Sequence, residues 1–139
     1  MTDRADIRGQ KNGLIVEDHA QLRQRMREFL EGAFPTFGFR EAVDGAGALD
    51  ACQAFRPQLV LMDIYLPDAD GIELTARLGT LYPGISVIVV SQESSEVYVQ
   101  QALAVGARAY VCKDHIVTDL VPAVAAAIGI PPATASFTA

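Results

Sequence analysis

The sequence predicts an α/β domain in which a parallel sheet lies between two layers of helix, and three observations carry that prediction. Short apolar runs alternate five times with segments of helical period. The runs are apolar at consecutive positions rather than at every second one, the pattern of strands buried on both faces. The chain, 139 residues long and 50% hydrophobic, suffices for one well-packed domain and is too short for two ordinary ones.

The first run is Leu14-Ile15-Val16. It precedes a helix whose apolar residues Leu22, Met26, Phe29, Leu30 and Ala33 form one stripe, with Gly32 and Pro35 expected to stop it. A weaker strand over residues 39–43 leads to an Ala-rich helix over 46–55, and Arg56-Pro57 turns the chain. The third strand covers 58–62. A loop with Pro67 and Gly71 opens a helix over 72–81, ended by Tyr82-Pro83-Gly84. Residues 85–90, Ile-Ser-Val-Ile-Val-Val, are the most strand-like run because of their β-branched content. A fourth helix over 95–105 ends at Gly106, a fifth strand covers 109–112, and a last helix covers 119–128. The expected organisation is a flexible segment over 1–12, the domain over 13–128 and a linker-like tail over 129–139, whose Pro131 and Pro132 do not suit a folded element.

Composition excludes several classes of function. A formal net charge of −6 argues against nucleic acid bound by this segment, since that affinity rests on cations displacing counterions. Cys52 and Cys112 stand in no metal-ligand spacing and are too few to staple a secreted scaffold. With no signal-peptide pattern and no membrane-spanning run, a cytoplasmic location is expected. No charged residue follows Asp119, so the last helix either presents a partner surface or simply exposes small Ala side chains.

Ligands of parallel α/β sheets bind outside the carboxyl ends of the strands. There the runs end in Glu17-Asp18, Asp63, Ser91 and Lys113. Three carboxylates and one ammonium leave about −2 of charge, which calls for a cation, and an oxygen-only donor set suits Mg²⁺ with an open phosphate position. That points to phosphoryl chemistry. A carboxylate can act as nucleophile while the metal and Lys113 neutralise the transferred oxygens and Ser91 donates a hydrogen bond. Asp63 is the natural acceptor, standing on the central strand.

These residues, in Leu14-Ile-Val-Glu-Asp-His19, Leu59-Val-Leu-Met-Asp-Ile-Tyr-Leu-Pro67 with Asp70-Gly71, Val87-Ile-Val-Val-Ser91 and Gly106-Ala-Arg-Ala-Tyr-Val-Cys-Lys-Asp114, give the chain its family likeness. Over residues 12–128 it resembles the CheY-like receiver domain of bacterial two-component response regulators, in the style of the NarL/LuxR class. The resemblance implies a (βα)5 flavodoxin-like fold with strand order 2-1-3-4-5. It implies that Asp63 accepts phosphate from a histidine kinase, that Asp18, Asp63 and the Tyr65 carbonyl ligate Mg²⁺, and that Glu17 reaches the metal through water. Ser91 and Tyr110 would form a switch pair that reshapes the surface of helix four, strand five and helix five, where a homodimer is also expected, there or on helix five alone. The function so implied is a phosphorylated switch controlling an output, transcription regulation by a helix-turn-helix domain if this is part of a longer regulator, with no enzymatic turnover beyond slow autodephosphorylation.

Three positions depart from the family pattern. Gln92 stands where a small residue is usual and is long enough to overhang the phosphate pocket, hindering small-molecule donors. Asp114 replaces the common Pro after Lys113, loosening the hold on that lysine, and Glu17 replaces the commoner Asp. Gln92 motivates the main rival reading, a pseudo-receiver that binds protein without being phosphorylated. A phosphatase with external substrates is disfavoured because Tyr65, not Asp, stands two residues after Asp63. The Gly45-Ala-Gly47 stretch lacks the third glycine of a dinucleotide fingerprint and reads as a helix start. His19 and His115 read as solvated, and Tyr98 as a core aromatic without a switching role.

Overall fold

The computed structural model describes residues 11–133. Five strands, β1 (Lys11–Val16), β2 (Phe37–Ala42), β3 (Leu59–Met62), β4 (Ser86–Ser91) and β5 (Ala109–Cys112), stand in the order β2-β1-β3-β4-β5. All four pairings are parallel. The crossovers are α1 (Ala20–Ala33), α2 (Gly45–Phe55), α3 (Gly71–Leu81) and α4 (Glu96–Ala104). A 3-10 turn (Lys113–His115) leads from β5 into α5 (Ile116–Ile128). This is the flavodoxin-like topology that the motifs imply.

Period-two alternation along each strand divides the core into layers. Ile15, Leu61, Ile88 and Val90 point to the side of α1 and α5, where they meet Leu30, Leu120 and Val124. Leu14, Val16, Val60 and Met62 point to α2 and α3, where they meet Ala48, Cys52, Leu74 and Leu78. Every residue of β3 is buried, each such side chain contributing about 1.5–3 kcal/mol relative to exposure. In contrast, α4 buries only Ala102, in a small cluster with Ile64, Ile72, Val89 and Ala107.

Several element ends differ from the sequence expectation, each for a local reason. β1 begins at Lys11, so Lys11 and Asn12, expected in the segment before the domain, pair with Phe37 and Gly38. β2 covers 37–42 rather than 39–43, because Phe37 and Phe39 stack on the α1 side of the core with ring centroids 5.7 Å apart. Gly32 lies inside α1, so the helix is stopped by Pro35 alone. α5 starts at Ile116, three residues before the expected Asp119, because the 3-10 turn feeds it directly; Pro122 therefore sits in its interior.

The uncharged last helix mostly faces inward. Val121, Ala123, Ala125, Ala127 and Ile128 pack on the α1 side of the core, leaving Val117, Thr118, Asp119, Pro122 and Ala126 exposed. An exposed face of small Ala side chains does not describe it, since of its alanines only Ala126 is exposed and Ala123, Ala125 and Ala127 pack on the core. Of the expected tail, Ile130 packs on the same cluster and the Ala133 N–H donates to the Ala33 carbonyl at 2.7 Å, filling an acceptor that the end of α1 leaves open. The expected flexible start, residues 1–10, and the rest of the tail, 134–139, lie outside the described residues.

Gly71 shows how tightly α3 is seated. A Cβ there would lie 2.0 Å from the Asp63 carbonyl oxygen, while one on Gly79 in the same helix would meet nothing within 4 Å. Gly71→Ala is therefore expected to destabilise the domain by about 2 kcal/mol or more, as backbone rather than a pliable side chain must yield. Gly79→Ala is expected to stabilise it by about 0.5–1 kcal/mol through helix propensity. Chemical denaturation of the two variants checks both signs.

Candidate functional site

Backbone pairing places the acidic residues. The hydrogen-bond ladder continues one residue past the strands, with Glu17 N–H donating to the Ala42 carbonyl (3.0 Å) and Asp63 N–H to the Val16 carbonyl (3.2 Å). Ser91 ends β4 opposite Cys112, the residue before Lys113. The carboxylates of Glu17, Asp18 and Asp63 consequently meet, with oxygens all within 4.8 Å of one another. Glu17 and Asp63 are 2% and 5% exposed, whereas Asp18 is open to solvent. The Lys113 ammonium bridges the two buried acids, 2.8 Å from Glu17 Oε1 and 3.0 Å from Asp63 Oδ2. Glu17 Oε2 also accepts the His19 N–H (3.1 Å), and Asp63 Oδ1 accepts the Tyr65 N–H (3.3 Å).

Burial is the largest influence on Glu17 and raises its pKa. The Asp63 charge adds to the rise, and the hydrogen bonds from Lys113 and His19 oppose it. For Lys113, burial acts to lower the pKa, but the hydrogen bonds and charges of Glu17 and Asp63 outweigh it and the net direction is up. The lysine is thus held as a cation while one ammonium faces three carboxylates, so the cluster retains negative charge in an oxygen-only donor set. That is the chemistry of a hard divalent cation site.

A second layer of contacts joins the expected switch residues. Ser91 is fully buried and its Oγ accepts the Glu93 N–H (3.2 Å). The Tyr110 hydroxyl donates to the Glu93 carbonyl, and the Tyr65 hydroxyl donates to Glu93 Oε1 (3.3 Å). Tyr98 packs on the α4 cluster as a core aromatic would, and its ring also meets that of Tyr65 edge-on at 6.5 Å. The hydrogen bond with Tyr98, with Glu93 nearby, pushes the Tyr65 phenol up to about 12. Gln92 is exposed. Asp114 lies in the 3-10 turn, and no cis peptide occurs among the described residues.

Sequence reasoning missed the residues that support the site from outside. Arg23, on the first turns of α1, donates from Nη1 to the Glu17 carbonyl (2.8 Å) and from Nε to Glu41 (2.7 Å), with its side chain 14% exposed. Arg27 also reaches Glu41 (3.0 Å), and these two arginines hold the Glu41 carboxylate below its usual range. Arg23 and Arg27 stand four apart on one helix face, a legible signal, but their acidic partner on β2 is not adjacent in sequence. His19 is exposed as expected and additionally caps α1, its Nδ1 accepting the Leu22 N–H. The Gly45-Ala-Gly47 amides are occupied by the chain's own carboxylates: Asp68 takes those of Gly45 and Ala46, and Asp44 that of Gly47. A helix start is the correct reading of that stretch.

The fold and the acid cluster at the carboxyl edge of the sheet define the class, a flavodoxin-like α/β signalling domain. The chain belongs to the response regulator receiver domain family, whose model matches residues 14–125. It is 33% identical over 113 residues to the transcriptional regulatory protein DegU of Brevibacillus brevis, covering 80% of this chain and 47% of that one. The chain spans about half the length of that curated relative. Among solved structures it is similar to a LuxR-family two-component response regulator from Aurantimonas sp. SI85-9A1, at TM-score 0.79 and 26% identity with 88% of each chain covered. It is also similar to a response regulator from Burkholderia pseudomallei determined with a phosphorylated aspartic acid, calcium ion and citrate, at TM-score 0.73 and 25% identity, covering 84% of this chain and 65% of that one.

Lys113→Met removes the only cation paired with the two buried acids among the described residues and is expected to cost about 3 kcal/mol at neutral pH. A carboxylate whose folded pKa is raised stabilises most below its unfolded pKa and loses that contribution as pH rises through the folded value. The loss in Lys113→Met should therefore shrink as pH falls toward 4.5, which denaturation at a series of pH values measures.

Proposed function

We propose that this domain is a phosphoacceptor switch in which Asp63 takes a phosphoryl group from the phosphohistidine of a histidine kinase. The observation that carries this reading is a buried Asp63 carboxylate held by Lys113, with Glu17 and Asp18 oxygens within 4.8 Å. A carboxylate oxygen of Asp63 attacks phosphorus, the P–N bond to the imidazole breaks, and its electron pair returns to the ring nitrogen. Lys113 already faces Asp63 and neutralises charge on the transferred oxygens. Ser91, on turning from the Glu93 N–H, donates to one of them.

Asp18, Asp63 and the Tyr65 carbonyl would hold Mg²⁺ directly, with Glu17 reaching it through water. Bound there, the metal would supply charge neutralisation for the phosphoryl group. Occupation of both Glu17 oxygens by Lys113 and the His19 N–H fits the indirect role. The phosphorylated aspartate of the Burkholderia neighbour supports the reading as a whole.

The acyl phosphate is slow to hydrolyse, because Tyr65 and Glu93, joined by a hydrogen bond (3.3 Å), flank the site and limit the access of water, and turnover of external phosphate esters is not its function. Phosphorylation redistributes the contacts of Ser91, Glu93 and Tyr110 and is read on the α4–β5–α5 surface. Val97 and Val117, 63% and 50% exposed there, suit a partner protein or a second copy. The name of the DegU relative supports transcription regulation as the output of the whole regulator.

Intact mass after incubation with Mg²⁺ and either acetyl phosphate or a histidine kinase should show one added phosphoryl group, absent in Asp63→Asn and without metal. No adduct from either donor would leave the pseudo-receiver reading standing, and repeated release of phosphate would favour the phosphatase. Mg²⁺ at ten times its dissociation constant should add about 1.4 kcal/mol of stability, and Asp63→Asn should raise stability without metal by relieving repulsion with Glu17. Arg23→Met should weaken Mg²⁺ binding by up to about tenfold, since Arg23 holds the Glu17 backbone carbonyl and so fixes the chain from which the Glu17 and Asp18 carboxylates project. Calorimetric titration of Mg²⁺ checks this separately from folding.

A further inference from the structure

At the end of the sheet opposite the acidic cluster lies a groove of about 580 Å³, a volume within the range of small-ligand sites. It runs beneath the first residues of the strands, where Lys11 opens β1 and Arg108 precedes β5. Arg56, the C-cap of α2, stands on its rim. Among the described residues, its charged lining consists of these three cations and no acid, in a chain whose formal net charge is −6. None of the three forms an ion pair with a described residue, whereas Arg23, Arg27 and Lys113 all do.

Two bland explanations fall short. The C-termini of α2, α3 and α5 meet this groove, but each carries only about half a negative charge, so three full cations exceed what those helix ends call for. Helix capping does not explain Arg56 either. Its backbone is left-handed, φ 48° and ψ 60°, where glycine would close the helix without strain and a side-chain-bearing residue does not. What the arginine adds is a cation held in place, with Nε donating to the Gln53 carbonyl (3.3 Å) and the guanidinium carbon 5.1 Å from the centre of the Tyr82 ring. Strain kept at a position where it is not needed for the turn points to the side chain. Beside these cations the lining is mixed, with Gln58 and Ser86 among its polar members and an apolar part supplied by Ile85 and Ile128.

We propose that this groove binds a small organic anion carrying two or more negative charges on an apolar body. The cations supply the charge recognition, and Tyr82, Ile85 and Ile128 cover the body. This chemistry is shared by phosphate monoesters such as nucleotides and by aromatic polycarboxylates.

Calorimetric titration of the whole chain at low salt, in buffer and protein freed of divalent ions over a chelating resin so that none recruits phosphate to the acidic edge, separates the possibilities. The probes are adenosine monophosphate, trimesate and pyrophosphate, which carries charge without an apolar body. Adenosine monophosphate or trimesate should bind on the order of 10–100 µM. Binding should weaken at least tenfold in Arg56→Gly and Arg108→Glu, while Arg56→Gly melts no lower than the parent. A preference for the first probe assigns phosphate monoesters and for the second polycarboxylates. The proposal is overturned if neither binds, if the variants bind as the parent does, or if pyrophosphate binds as tightly as the aromatic probes.

Discussion

The ammonium of Lys113, shared between Glu17 and Asp63, is the interaction on which the functional edge depends. Two carboxylates at 2% and 5% exposure are tolerable only because a cation and backbone donors reach them. The three residues come from the ends of β1, β3 and β5, so the pairing ties strands that are not all neighbours in the sheet. With Asp18 beside them, three carboxylates against one ammonium leave the site about two charges short of neutrality. The surplus negative charge that makes the cluster costly is the same surplus that suits it to a hard cation.

The layout of strands and helices was legible because burial on both faces writes itself as consecutive apolar residues in β3 and β4, and because Pro35, Pro83 and Gly106 punctuate the chain at element ends. The edge residues Glu17, Asp18, Asp63, Ser91 and Lys113 were legible for a related reason, as polar residues that stop such runs. Element starts were less so. β2 begins two residues early because Phe37 and Phe39 stack within the core, a contact that period alone does not reveal. α5 begins early because a 3-10 turn precedes it.

What escaped the sequence was long-range pairing. Asp68 caps α2 from the loop after β3, and Glu41 on β2 orients Arg23 on α1, which in turn holds the Glu17 carbonyl. Each residue is ordinary on its own, and its role exists only once the sheet order sets the neighbours. Gln92 shows the converse. Its identity stands out against the family pattern, yet its exposed position adds nothing to the hydrogen bonds around Asp63.

The elements around Asp63 are anchored unequally. α3 is pressed against the Asp63 carbonyl through Gly71, a contact with no room for an added methyl group, whereas α4 keeps a single alanine in the core. Local opening of a helix costs little when few apolar contacts are lost. A change in charge at Asp63 therefore meets a stiff wall on one side and a compliant one on the other. Strain arising at that edge of the sheet is thus taken up more readily by α4 than by α3, an unevenness built into the packing itself.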